Sequence, residues 1–95
     1  MTVLEDEAGG LNKAIHVLID AGAREIYLFG SAADGNLKAG SDIDLAVSGL
    51  PARRFFRVLA EVSRCFDRPV DLVDLDEQNP FTAYLKSHGG IVRVG

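Results

Sequence analysis

Apolar positions change their period several times along this 95-residue chain. Leu11, Ile15, Leu18 and Gly22 recur every three to four residues, which predicts an amphipathic helix over 11–21 with Gly22 as its stop. Glu25–Phe29 (EIYLF) is a short apolar run ending at Gly30, the pattern of a buried strand. Ile43–Val47 predicts a second strand, bounded by Gly40-Ser41 before it and Ser48-Gly49 after it. Pro51 suits the first position of the next element, and Phe55, Leu59, Val62 and Phe66 then mark one face of a helix of about four turns. Val70–Leu75 predicts a third strand, Pro80–Ser87 a short helix, and Ile91–Val94 an edge strand. Residues 1–10 are acidic and expected to be flexible. Residues 1–95 thus predict one α/β (α+β) domain, a small mixed sheet with helices packed on it.

Composition narrows the function classes. The net charge of −4 argues against a general nucleic-acid binder, which normally shows a basic patch. No apolar run approaches the roughly 20 residues of a membrane-spanning helix, so no membrane contact is expected. The acidic start, MTVLEDEAGG, lacks the basic-then-apolar layout of a secretory leader. Cys65 is the single cysteine and forms no internal disulfide; it reads as a core or boundary residue. These features predict a cytoplasmic protein. Arg53, Arg57 and Arg64 flank the apolar stripe of their helix and read as a solvated face, with a phosphate or acidic-partner contact as the sharper alternative. His16 lies within the first helix, and His88 closes the last one, where it suits the helix dipole.

The chemistry is concentrated in residues 30–44, GSAADGNLKAGSDID. Alternation along a strand puts Asp42, Asp44 and Ala46 on one face and Ile43, Leu45 and Val47 on the other, a core face. Two carboxylates about 6 to 7 Å apart repel each other, and a hard divalent cation such as Mg²⁺ removes the conflict. The bland alternative is a solvated polar face on an edge strand. Gly30 lets the backbone turn sharply after the first strand, and Ser31 can open a helix whose free N–H groups favour phosphate. Ser31 and Asp34 also match capping-box spacing, so they can serve a helix alone. A later strand offers Asp71 and Asp74 on opposite faces, so only one of them can join Asp42 and Asp44.

Gly30-Ser31, ten residues, then Asp42-Ile43-Asp44 resembles the signature of the nucleotidyltransferase superfamily that includes DNA polymerase beta. Within it, the length suits the minimal nucleotidyltransferases. The resemblance runs from Tyr27 to Val73. It implies the polymerase beta-like fold and transfer of a nucleoside monophosphate, AMP from ATP, to a hydroxyl acceptor with two Mg²⁺ ions. It further implies that Asp42 and Asp44 hold both ions, and that Asp71, where the third acid of the family falls, holds the one activating the hydroxyl. Gly30, Ser31, Ser41 and Lys38 would then lie on the phosphate side. Relatives of this kind pair with a small helical HEPN protein as antitoxin and toxin, so a hetero-oligomer, or a homo-oligomer, is expected. One position departs from the pattern: Asp34 stands where the family commonly has arginine, and an acid there weakens the hold on a triphosphate. The alternative function is a binding subunit that masks its helical partner without catalysis.

Overall fold

The computed structural model describes residues 8–30, 42–77, 80–88 and 91–95. The elements are α1 (Ala8–Asp20), β1 (Glu25–Phe29), β2 (Ile43–Ser48), a 3₁₀ turn (Ala52–Arg54), α2 (Phe55–Ser63), β3 (Val70–Asp74), α3 (Pro80–His88) and β4 (Val92–Arg93). Four strands form one mixed sheet in the order β3-β2-β1-β4. β1 runs antiparallel to β2 and to β4, while β2 and β3 are parallel. The parallel pair follows from the connection: the chain must cross back between β2 and β3, and α2 makes that crossover.

Period-two alternation in the strands builds the core. Ile26 and Leu28 of β1, Ile43, Leu45 and Val47 of β2, and Leu72 of β3 pack with Ala14 and Leu18 of α1 and with Val58 and Val62 of α2. Burying each of the largest of these side chains stabilises the fold by roughly 1.5–3 kcal/mol. The opposite face of the sheet carries a smaller cluster, in which Ala46 and Leu75 are buried against Tyr27, Phe29, Val73 and Ile91. β2 therefore has buried side chains on both faces, as a central strand should. Among the described residues, no helix is long and apolar enough to cross a membrane.

The elements keep their predicted order and type, with three corrections. First, α1 begins at Ala8, so residues 8–10 are helical and not part of a flexible start. Gly9 and Gly10 are poor helix formers, which hid this turn from propensity. Gly10 is there for packing: a Cβ on it would collide with the backbone carbonyl of Cys65. Gly10→Ala is accordingly expected to destabilise the fold by about 1–3 kcal/mol despite alanine's better helix propensity; thermal unfolding reads the sign directly.

Second, α2 is shorter than four turns. Arg64 and Cys65 donate to Glu61 O (3.2 Å) and Val62 O (2.9 Å), i to i−3 bonds that tighten and end the helix. Phe66 is buried from the segment beyond it, so its periodic spacing is continued by a turn and not by helix. Pro51 precedes a 3₁₀ turn rather than opening the helix, and its carbonyl accepts from Arg54 N–H at 2.9 Å. Third, the last strand shrinks to Val92–Arg93, held at the edge by pairing Tyr27 with Arg93 and Leu28 with Val92.

Candidate active site

Register decides which acids meet. In the parallel ladder Asp44 of β2 stands opposite Asp71 of β3, and in the antiparallel ladder it stands opposite Phe29 of β1. Asp74 pairs with Val47, on the helix-covered side of the sheet. Asp71 thus joins Asp44 and Asp74 does not, as alternation requires. Asp42 lies exposed just ahead of β2. β2 is a central strand, so a polar edge-strand face cannot explain Asp44. A carboxylate placed mid-sheet beside another carboxylate is costly unless something cationic meets it.

The electrostatics record that conflict. Asp44 is pushed up from 3.8 to about 6, first by burial, then by the charge of Asp71 and a hydrogen bond shared with it, and last by Asp42. The folded chain therefore holds this proton more tightly than the unfolded chain. Its stabilising contribution is complete below about pH 4 and is lost as pH rises through about 6. Asp44→Asn is expected to make the metal-free chain more stable at pH 7.5, by about 1 kcal/mol after allowing for solvent screening. That corresponds to roughly 4–8 °C in Tm, and the gain should vanish as the pH is lowered toward 4. A pH series of thermal melts checks it.

The donor set suits a hard divalent cation. Among the described residues, no three Asp, Glu, His or Cys side chains gather into a ready-made metal cage. Mg²⁺ rarely needs one, since it binds through one or two carboxylates together with water and substrate phosphates. The Asp44–Asp71 pair offers that arrangement, with Asp42 near enough to act on Asp44 electrostatically.

Gly30 completes the described part of the site. It follows β1 with φ +65°, and a Cβ built on it would lie 2.6 Å from Asp44 Oδ2. The turn therefore presses bare backbone against the Asp44 carboxylate, which no other residue type permits without displacement. Ser31, Asp34, Lys38 and Ser41 lie outside the described residues.

The strand alternation also carries a group that the motif does not reveal. Glu25 and Tyr27 occupy the same face as Phe29, farther along β1. Tyr27 donates its hydroxyl to Glu25 Oε2 at 2.8 Å, which pushes the tyrosine pKa up, and Ser48 Oγ donates to the same oxygen at 3.4 Å. The signal for this group was the EIYLF alternation itself, read as a buried strand without assigning its faces.

Comparison with known proteins identifies the family and the fold. The sequence profile described as "Polymerase beta, Nucleotidyltransferase" matches residues 12–92, which makes this chain a nucleotidyltransferase domain. No functionally curated protein matches it by sequence. Solved structures do. A toxin–antitoxin with AMP-PNP is 30% identical at a TM-score of 0.71, covering 86% of this chain and 69% of that one. The tri-AMPylated Shewanella oneidensis HEPN toxin in complex with MNT antitoxin is 26% identical at a TM-score of 0.66, covering 92% and 70%. A protein described as a minimal nucleotidyltransferase matches in fold at a TM-score of 0.71 and 24% identity, covering 85% of each chain. The chain belongs to the polymerase beta nucleotidyltransferase family.

Proposed function

We propose that this chain transfers AMP from ATP to a hydroxyl group on a small HEPN-type partner protein, acting as the antitoxin of the pair. The observation that carries the reading is the in-register pairing of Asp44 with Asp71 beside the Gly30 turn. The similar complexes with AMP-PNP and with an AMPylated HEPN toxin support the choice of nucleotide and partner.

Asp42 and Asp44 would hold two magnesium ions, with Asp71 sharing one of them. When bound, these ions supply charge neutralisation and Lewis acidity at the reacting phosphate. Asp71, which is exposed, would accept the proton of the acceptor hydroxyl. The hydroxyl oxygen attacks the α-phosphorus, the bond to the bridging oxygen breaks, and pyrophosphate leaves. Gly30 keeps backbone close to Asp44, so this carboxylate has little room to swing. Ser31, Ser41 and Lys38 are assigned to the β- and γ-phosphates.

The test is incubation of the chain with the HEPN-type protein, Mg²⁺ and ATP labelled in turn at the α- and γ-phosphates. Label should reach the partner from α-labelled ATP only. Transfer from γ-labelled ATP, or from neither, would overturn the reading. Asp34 favours the masking alternative, since an acid replaces the arginine near the triphosphate; that alternative requires neutralisation of the partner without any label transfer.

A further inference from the structure

Phe56 stands on the outer side of α2 at 80% exposure, the most open large apolar side chain among the described residues. It is held there by an edge-to-face contact with Phe55, ring centroids 5.6 Å apart and planes at 87°. The two rings and Ala52 form the apolar wall of a groove of about 430 Å³, whose other wall is Asp74, Asp76 and Glu77. Among the described residues, no lysine or arginine lines it. Two of the three acids are fixed by backbone donors: Asp74 Oδ1 accepts from Asp76 N–H at 2.9 Å, and Asp76 Oδ2 from Gly49 N–H at 2.6 Å.

An exposed aromatic wall facing a row of carboxylates has a definite complement. It fits a side chain with an apolar stem and a cationic end, or an apolar side chain flanked by such residues. Arginine suits best, because its guanidinium stacks on an aromatic face while its N–H groups pair with carboxylates. Large exposed aromatics set in partly enclosed pockets are also the residues that dominate binding energy at interfaces.

The position is also consistent with docking during catalysis. Asp74 is three residues beyond Asp71 on β3, roughly 10 Å along the strand, and it faces the other side of the sheet. A partner anchored here leaves the Asp44–Asp71 face open to nucleotide and to the acceptor hydroxyl.

We infer that the Phe55–Phe56 groove with its Asp74, Asp76 and Glu77 wall is a docking surface for an arginine- or lysine-bearing amphipathic segment of the HEPN-type partner. This rests on the partner-directed reading above and adds the surface that holds the partner.

The experiment measures affinity calorimetrically without nucleotide, between the chain and the HEPN-type protein that co-expresses with it as a complex. Phe56→Ser should weaken binding at least tenfold, and Glu77→Lys at least threefold, with the Glu77 effect shrinking at high salt as exposed charges are screened. Ile19→Ser, which alters another exposed apolar residue on α1, should leave affinity unchanged. Melts of all three variants check that folding is intact. Unchanged affinity for Phe56→Ser, an equal loss with Ile19→Ser, or the absence of any complex overturns the inference. So does sedimentation showing that Phe56 instead joins two copies of this chain. Phe56-dependent binding without label transfer leaves the docking surface standing and overturns only the transfer reading. Label transfer with Phe56→Ser at parental affinity does the reverse.

Discussion

Asp44→Asn is expected to cut nucleotidyl transfer by about a thousandfold or more, equivalent to about 4 kcal/mol of transition-state stabilisation. The substitution keeps the shape of the side chain while removing the charge that would grip a metal ion. β2 holds Asp44 at the meeting point of its ladders with β1 and β3, so neither Asp42 nor Asp71 can move into its place. The same substitution should raise metal-free stability near neutral pH, because it relieves the burial and like-charge conflict that pushes this carboxyl to about 6. Opposite signs in the two measurements separate a functional acid from a structural one. Label-transfer rates alongside melts of the same preparation check both. Undiminished transfer would remove Asp44 from the chemistry.

Gly30→Ala should be the other severe change, with a different signature. The residue sits at φ +65°, where a Cβ costs about 1–2 kcal/mol. The new methyl group would also meet Asp44 Oδ2. The terminal oxygen of a side chain yields more easily than backbone, so the carboxylate moves and the fold survives. Misplacing a reacting group by about 1 Å costs roughly a hundredfold in rate. The expected result is therefore a transfer rate down about a hundredfold against a loss of only about 1–2 kcal/mol in stability. A large stability loss with the transfer rate unchanged would show that the turn supports the fold and not the site.

Much of this was legible in the sequence because strand alternation is local information. Ile43, Leu45 and Val47 announce a core face, and Asp44 between them must point the other way. The same rule put Asp71 and Asp74 on opposite faces, so that only one of them could join Asp44, without saying which. Register was not legible. Nothing between residues 45 and 70 says that Asp71, rather than a neighbour, ends up opposite Asp44; that depends on how far α2 and its flanking turns carry the chain before it returns. Helix ends failed for similar reasons. Gly9 and Gly10 look like a breaker until the Cys65 carbonyl is packed against Gly10, and Phe66 continues a helical spacing after the backbone has already turned. The exposure of Phe56 was invisible as well, because an apolar residue beside a stripe looks the same whether it is covered or bare.

The placement of Asp44 on β2 has a last consequence. Strand backbone amides locked between two neighbours open only when the whole domain opens, whereas β3 and β4 at the margins can detach earlier. The chain thus has little scope for a native-like but chemically dead intermediate in which the Asp44 segment melts alone. A folded but inactive intermediate should instead arise at β3, which carries Asp71 at the margin of the sheet, so heat inactivation should begin before global denaturation.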